Sequence, residues 1–215
     1  MKSVLITGGT VRLGKTITER LRSEGWRVVT SSHRADAGAD IVADLAEPRS
    51  AAKLYAAALQ MLGGTPPDAL VNNAALFTGD AAAIAAVNLE APKKLTMLMA
   101  GRETGIGAIV NILDAKALDA SRRLPTSTDA YLASKRALAA FTRTAAATFA
   151  ATLRVNGVAP GPVMAPTDVH EQAGEMLLDR RPTTDDVAAA VSYLLSAEAT
   201  TGTVIPVDAG QHLVV

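Results

Sequence analysis

Short apolar runs alternate along the chain with longer stretches rich in alanine and leucine. Within the runs, apolar residues follow one another without alternating with polar ones, which is typical of strands buried on both faces. The runs predict strands at Val4–Ile6, Trp26–Thr30, Asp40–Ala43, Ala69–Val71, Ala108–Leu113, Leu153–Val158 and Thr203–Val207. The longer stretches predict helices at Gly14–Glu24, Arg49–Leu62, Ala81–Ala100, Asp129–Ala151 and Thr184–Ser196. This repetition predicts an α/β fold, a doubly wound sheet of about seven parallel strands flanked by helices, in a single domain over residues 1–215.

The composition narrows the possible functions. Lys and Arg together number 21, as do Asp and Glu, so the basic excess that favours nucleic acids or membrane surfaces is lacking. Without cysteine, disulfides and thiol catalysis are excluded, and the scattered histidines predict no metal site. No signal peptide is predicted, and no apolar run approaches the roughly 18 residues of a membrane helix. We therefore expect a cytoplasmic protein that binds a small-molecule substrate, with no nucleic-acid or membrane partner.

A glycine-rich turn follows the first predicted strand and opens the first helix. It reads Thr7-Gly8-Gly9-Thr10-Val11-Arg12-Leu13-Gly14. Glycine lets the backbone approach a pyrophosphate closely, and a helix N-terminus offers unpaired N–H groups and the positive end of its dipole. Glycine also serves tight turns for steric reasons alone. The position after the first strand of a βα series nevertheless favours a dinucleotide site.

The end of the second predicted strand distinguishes between the two nicotinamide dinucleotides. Sites for NAD place a carboxylate here, which bonds the ribose 2′-hydroxyl and would repel a 2′-phosphate. This segment offers Ser32, His33 and Arg34 instead, and its first carboxylate is Asp36. Because a guanidinium can hold a phosphate with two parallel N–H bonds, we expect NADP(H). A solvated polar turn is the alternative interpretation.

A tyrosine and a lysine stand one helical turn apart on the helix predicted after the fifth strand. Tyr131 and Lys135, at i and i+4, share one helix face. An ammonium favours the phenolate and lowers the tyrosine pKa from near 10, so Tyr131 becomes a usable general acid near neutral pH. The fifth strand ends in Asp114, whose carboxyl can donate a proton if burial raises its pKa. The alternatives are a chance spacing for the pair and a simple capping role for Asp114.

These motifs together resemble the short-chain dehydrogenase/reductase family over nearly the whole chain. The glycine turn is similar to the family's T-G-x-x-x-G-x-G, the Tyr131–Lys135 pair to its Y-x-x-x-K, and the segment from Arg154 to Gly161 to its R-V-N-x-x-x-P-G. The resemblance implies a Rossmann-type fold. It also implies cofactor contacts from Gly8, Arg12, Leu13, Gly14, Ser32, His33, Arg34, Asp44, Leu45, Asn72, Ala74, Tyr131, Lys135, Pro160 and Gly161.

Two of these family positions have a second interpretation. Asp44 and Leu45 match the family's adenine-contacting D-L pair, although Asp44 could equally cap the following helix. Asn88 lies inside a predicted helix although asparagine is a poor helix former. In the family this asparagine distorts the helix and holds a water on the proton path. The alternative is an exposed mid-helix asparagine.

Further matches narrow the resemblance to pteridine reductases and dihydromonapterin reductases. Pteridine reductases have the same residues at the positions of Arg12, His33, Arg34 and Phe77. At the position of Asp114 most of the family has serine, whereas pteridine reductases and dihydromonapterin reductases have aspartate. The resemblance implies that Phe77 stacks on a pterin opposite the nicotinamide. The alternatives are that Phe77 packs in the core and that Arg12 is a solvated residue at the start of a helix. The implied substrate contacts are Arg12, Phe77, Asp114 and Tyr131, and the implied catalytic set is Asp114, Tyr131, Lys135 and Asn88.

The expected reaction is hydride transfer from NADPH to a C=N bond of an oxidised or dihydro-pterin, with dihydrofolate as a second substrate by resemblance. A carbonyl reductase and a non-catalytic NADP(H) sensor remain alternatives. Because family members usually pair through the helices that here contain Asn88 and Tyr131, we expect a homodimer or homotetramer. An insertion around residues 122–125 and a proline-rich segment over residues 159–182 are expected beside the pocket. The second segment is interpreted as a flap or as an ordinary surface connection.

Overall fold

One parallel sheet organises the computed structural model, which describes residues 1–103, 105–118, 129–163 and 176–214. Its strand order is β3-β2-β1-β4-β5-β6-β7, so the predicted doubly wound, seven-stranded sheet is confirmed. The strands are β1 (Ser3–Thr7), β2 (Arg27–Ser32), β3 (Ile41–Val42), β4 (Ala69–Asn72), β5 (Gly107–Ile112), β6 (Leu153–Pro160) and β7 (Val204–Val207). The insertion around residues 122–125 and the middle of the proposed flap lie outside the described residues.

The helices cover both faces of the sheet. They are α1 (Arg12–Ser23), α2 (Ser50–Met61), α3 (Ala81–Ala85), α4 (Ala91–Ala100), α5 (Asp129–Thr148) and α6 (Thr184–Ser196). The helix predicted over residues 81–100 is interrupted in its middle, where Ala86–Glu90 form a π-helical turn between α3 and α4. The N-terminus of α6 is capped: the Thr183 hydroxyl accepts from the backbone N–H of Asp186, and the Asp186 carboxylate accepts from the backbone N–H of Thr183.

Alternate residues of each central strand pack into hydrophobic cores on opposite faces of the sheet. Val4 and Ile6 of β1 pack with Ile17 of α1 in one core, which also contains the apolar side chains of α6. Leu5, between them, faces the other side and packs in the core that contains Leu54 of α2 and residues of α4 and α5. Burial of each such side chain stabilises the fold by about 1.5–3 kcal/mol. Because helices cover both faces of the sheet, successive residues of a central strand are all buried, and its sequence is apolar without interruption.

The chain reverses its winding direction between β1 and β4. From β1 it proceeds through β2 to β3, and it then returns to β4 on the other side of β1. At such a switch point the loops beyond the strand ends diverge and leave a crevice, which is where open α/β sheets bind their ligands. Among the described residues, no helix combines the length and apolar character needed to cross a bilayer.

Candidate active site

A cleft of about 610 Å³ lies at the carboxyl ends of the strands, at this switch point. The described residues that line it include fifteen of the predicted site residues: Gly8, Arg12, Leu13, Gly14, Ser32, His33, Arg34, Asp44, Leu45, Ala74, Asp114, Tyr131, Lys135, Pro160 and Gly161. Residues from seven separate segments thus converge on one crevice. Asn72, Phe77 and Asn88 are not part of its lining and are considered below.

The loop from β1 to α1 is built for close approach of its backbone. Gly8 has a φ of +64°, and a Cβ on Gly14 would lie 1.9 Å from the carbonyl oxygen of Gly8. The amide of Asn73 donates to the carbonyls of Thr7 and Gly8, at 3.0 and 2.9 Å, and so fixes the loop from the side. The first residues of α1 line the cleft, and the N–H groups of a helix N-terminus would stabilise an anionic group there.

Arg12 occupies a backbone conformation that favours glycine. Its φ of +49° lies in the left-handed region. The family's T-G-x-x-x-G-x-G motif has its middle glycine at this position. A non-glycine residue there carries strain on the order of 1 kcal/mol. The side chain is exposed and lines the cleft, while its contacts with cofactor and substrate stay a prediction.

Arg34 is held in place by its near neighbour Asp36. The guanidinium Nε and one terminal nitrogen reach the two carboxylate oxygens, at 2.9 and 2.6 Å. This hydrogen-bonded pair raises the pKa of Arg34 and lowers the pKa of Asp36. Both side chains are exposed, so solvent screens the pair and a phosphate dianion could take the place of the carboxylate.

Asp44 contributes to the cleft rather than to a helix. Its carboxylate accepts a hydrogen bond from the backbone N–H of Ala46, at 2.9 Å. The helix that follows, α2, has Arg49 at its N-cap, so the alternative interpretation of Asp44 as its cap was wrong. Leu45, next in sequence, is buried and lines the same part of the cleft.

Tyr131, Asp114 and Lys135 meet at the centre of the cleft. The Tyr131 hydroxyl donates to the Asp114 carboxylate at 3.0 Å, and the Lys135 ammonium lies 5.8 Å from the centroid of the tyrosine ring. Lys135 is almost fully buried and donates to the carbonyl oxygen of Ile112 at 2.8 Å. The predicted shared face of Tyr131 and Lys135 is therefore confirmed.

Burial changes the proton affinities of the two ionisable partners of Tyr131. Removal from water raises the pKa of the Asp114 carboxyl, and the hydrogen bonds from the Lys116 backbone and the Tyr131 hydroxyl offset this only in part. Burial also lowers the pKa of Lys135 to about 8, against the opposing attraction of Asp114. The second carboxylate oxygen of Asp114 caps a short turn at Lys116, so the predicted capping role and the contact with Tyr131 coexist. Lys135 can therefore lose and regain its proton close to neutral pH, beside a carboxyl that holds its proton more tightly than an exposed aspartate does.

Comparison with known proteins identifies the family. Residues 12–212 match the family model described as enoyl-(acyl carrier protein) reductase. The chain belongs to the short-chain dehydrogenase/reductase family. Pteridine reductase 1 of Leishmania tarentolae is 30% identical over 97% of this chain and 96% of that protein, and 3beta-hydroxysteroid dehydrogenase 1 of Eggerthella lenta is 29% identical over 99% and 94%. The structure of FolM alternative dihydrofolate reductase 1 from Brucella canis, complexed with NADP, is 32% identical, with a TM-score of 0.86, and covers 100% of this chain and 95% of that one.

Two predicted site residues of this short-chain dehydrogenase/reductase lie behind the cleft. Asn72 is buried in the sheet and donates to the side-chain oxygen of Asn111 at 2.8 Å, and the next residue, Asn73, lines the cleft instead. Asn88 is fully buried within the π-helical turn, so the prediction of a distorted helix is confirmed and the alternative of an exposed asparagine was wrong. The cofactor contact of Asn72 stays a prediction, although its side chain does not line the cleft.

Phe77 packs against Tyr131 at the edge of the cleft. The two ring centroids are 4.7 Å apart with the planes inclined by 58°, and Phe77 is 50% exposed. The alternative of core packing was therefore wrong, because half of the ring faces solvent. Aromatic rings at this separation attract each other and offer a partner for a further flat ring.

Two residues with a part in the site were missed in the sequence. Asn73 lies between the predicted cofactor residues Asn72 and Ala74 and was given no role, yet it ties the glycine loop to the end of β4. No role was predicted for Ser134, which lies between Tyr131 and Lys135 in the sequence. It is buried and forms hydrogen bonds with the Asn88 side chain and the backbone of Tyr131. The signal available for Ser134 was its spacing of three from Tyr131, which places both on one helix face.

Proposed function

We propose that this protein is an NADPH-dependent reductase that transfers a hydride to a C=N bond of a pterin-type substrate, with Tyr131 as proton donor. Asp114 and Lys135 would assist Tyr131, Arg12 and Phe77 would hold the substrate ring, and dihydrofolate is a second candidate substrate. The relatives named as pteridine reductase and alternative dihydrofolate reductase support this proposal.

The hydrogen bond between Asp114 and the Tyr131 hydroxyl carries the proposal. A carboxyl whose pKa is raised by burial can donate a proton, and it stands 3.0 Å from the phenol that would be the general acid. A ring nitrogen that gains electrons needs such a proton donor. A ketone oxygen that is reduced also takes up one proton, which Tyr131 could supply to either substrate. The serine of most of the family only adds a hydrogen bond to the carbonyl, whereas a protonated carboxyl at Asp114 could also replace the proton that Tyr131 gives up.

The residues at the other end of the cleft fit a phosphorylated dinucleotide. A Cβ on Gly14 would lie 1.9 Å from the Gly8 carbonyl oxygen, so the two glycines let the loop fold tightly against the N-terminus of α1. This loop and helix terminus would accept a pyrophosphate. Ser32, His33 and Arg34 would bind the 2′-phosphate, and Asp44, Leu45 and Ala74 the adenosine side. When bound, NADPH supplies the hydride. Lys135, Pro160 and Gly161 would hold its nicotinamide end beside Tyr131.

The pH dependence of the reduction rate should follow Lys135 and Asp114, the two groups in the cleft whose pKa values burial shifts. Because Lys135 loses its proton with a pKa of about 8, kcat/KM for pterin reduction is expected to fall as the pH rises through about 8. Loss of the Asp114 proton, whose pKa burial raises, acts in the same direction. Initial rates from about pH 6 to about pH 9 test this, with Lys135→Arg as control, since a guanidinium stays charged and moves the fall to higher pH. A rate that rises with pH would contradict it.

The ion pair at Arg34 predicts a change in cofactor affinity. Replacing Asp36 with asparagine frees the guanidinium, so the Kd of NADPH is expected to fall by roughly two- to fivefold, while the Kd of NADH is unchanged. Fluorescence titration of both dinucleotides measures this. Glu47→Gln is the matched control, because it removes an exposed carboxylate and leaves the pair of Arg34 and Asp36 intact. Equal changes for both dinucleotides would contradict a 2′-phosphate contact.

A substrate screen tests the proposed reaction against its main alternative. The relative named as a hydroxysteroid dehydrogenase favours a carbonyl reductase as the second candidate function. NADPH oxidation would be followed with biopterin, dihydromonapterin and simple ketones in parallel. Turnover of the pterins is expected, and turnover of ketones alone would overturn the pterin proposal. Asp114→Ser, which restores the family's usual serine, should abolish pterin turnover without abolishing turnover of a ketone.

Assembly into a homodimer or homotetramer through α4 and α5 is part of the same proposal. The outward face of α5 carries small side chains at Ala140, Thr144 and Ala147, and α4 exposes Met97. Small residues let two helices approach closely, which suits pairing of two copies. Sedimentation of the purified protein measures the assembly state.

A further inference from the structure

A set of buried hydrogen bonds joins the loop after β4 to helix α5. The side chain of Asn88 accepts from the backbone N–H of Leu76 at 2.8 Å and donates to the carbonyl oxygen of the same residue at 2.9 Å. Its second amide hydrogen goes to the Ser134 hydroxyl, at 3.0 Å. That hydroxyl donates in turn to the carbonyl oxygen of Tyr131, at 2.6 Å. The bonds therefore run in one direction, from Asn88 through Ser134 to Tyr131.

This arrangement uses all the hydrogens of the two side chains. The amide of Asn88 has two hydrogens and both are donated, and the single hydroxyl hydrogen of Ser134 is donated to Tyr131. Asn88 is fully buried and Ser134 is 6% exposed. Without the Ser134 oxygen, one buried N–H of Asn88 would lose its partner, which a protein interior tolerates poorly.

Leu76 lines the cleft, and the residue after it, Phe77, lies at the edge of the cleft. Phe77 lies with its ring 4.7 Å from that of Tyr131, while both backbone groups of Leu76 are held by Asn88. The position of the Phe77 ring relative to Tyr131 therefore depends on two connections. One is the direct ring contact, and the other is the path through Leu76, Asn88 and Ser134.

We propose that Ser134 is a positioning residue: with Asn88, it holds the Leu76–Phe77 segment against α5 and so sets the wall on which a flat substrate ring binds. The nature of the substrate rests on the proposed function, whereas the positioning of the segment does not. Neither side chain touches the substrate in this account. Loss of the bond should therefore weaken substrate binding more than the chemical step.

Helix α5 contains a matched control for Ser134. Thr142 donates its hydroxyl hydrogen to the Leu138 carbonyl at 2.8 Å and accepts from the buried amide of Asn111 at 2.9 Å, which is the same pattern two turns further on. It lies on the sheet side and not at the cleft. Thr142→Ala thus removes an equivalent buried bond and lowers stability without loosening the Leu76–Phe77 segment.

The kinetic test compares Ser134→Ala with Thr142→Ala, using dihydrobiopterin and NADPH. Ser134→Ala is expected to raise the KM for dihydrobiopterin about tenfold, with kcat and the Kd of NADPH changed by less than about threefold. Thr142→Ala should leave all three values near wild type. If Ser134→Ala does not fold, Ser134→Cys takes its place, because a thiol has similar size and bonds weakly.

Hydrogen exchange of the peptide covering residues 74–79 gives a measurement that needs no substrate. Ser134→Ala is expected to speed exchange there, because the Leu76 amide is held by Asn88, and Thr142→Ala is not. If the wild type reduces no pterin, the proposed function fails and this exchange decides the inference alone. If pterins are reduced but Ser134→Ala leaves either this exchange or the KM unchanged, the inference is overturned while the function stands.

Discussion

Replacing Tyr131 with phenylalanine is expected to lower kcat for pterin reduction by about 10²- to 10⁴-fold. The substitution removes the hydroxyl that lies 3.0 Å from Asp114 and leaves the ring that packs against Phe77. The pocket should therefore keep its shape while the proton donor is lost. The Kd of NADPH should change by less than about threefold, which separates loss of chemistry from loss of binding.

Tyr193→Phe serves as the control for this loss. Tyr193 lies on α6, is 56% exposed and is remote from the cleft lining, so its hydroxyl should not affect the rate. Stopped-flow measurement of NADPH oxidation gives both rates under the same conditions. If Tyr131→Phe retained a rate within about threefold of wild type, the hydroxyl would not be the general acid.

Gly14→Ala is expected to weaken NADPH binding by about tenfold or more. The added Cβ would lie 1.9 Å from the Gly8 carbonyl oxygen and 2.7 Å from the Asn73 amide, so the glycine loop must open. Such overpacking destabilises a fold by about 1–3 kcal/mol, which exceeds the gain of about 1 kcal/mol that alanine brings within a helix. Thermal unfolding and fluorescence titration measure the two effects.

Gly101→Ala provides the matched comparison. Gly101 ends α4 with a φ of −73°, and a Cβ there would find its nearest neighbour, the Leu98 carbonyl oxygen, at an ordinary 3.5 Å. Neither NADPH affinity nor melting temperature should fall in this variant. Equal behaviour of the two alanine variants would show that the loop does not depend on the close approach at Gly14.

Local spacing made the centre of the site predictable. Tyr131 and Lys135 share a face because an α-helix repeats every 3.6 residues, and this relation holds wherever the helix lies. Similarly, Gly8 and Arg34 follow parallel strands, whose carboxyl ends must meet at one edge of the sheet. The positions of these residues thus follow from the elements alone.

Contacts that depend on side-chain conformation were not predictable in this way. Asn72 and Asn73 are equivalent in sequence, yet successive residues of a strand point to opposite faces and only Asn73 reaches the cleft. Likewise, the pairing of Arg34 with Asp36 depends on a turn whose geometry the sequence does not specify. The partner of the Asn88 side chain was also not predictable, because it is Leu76, which is twelve residues away.

The most direct test of the central claim is a crystal structure of the ternary complex with NADP⁺ and a dihydropterin. The measurement is the distance from the Tyr131 hydroxyl to the substrate. We predict a hydrogen-bond distance of about 2.6–3.2 Å, with the pterin ring against Phe77 and the 2′-phosphate at Arg34. A pterin bound elsewhere, or a Tyr131 hydroxyl turned away from the bound ring, would contradict the account.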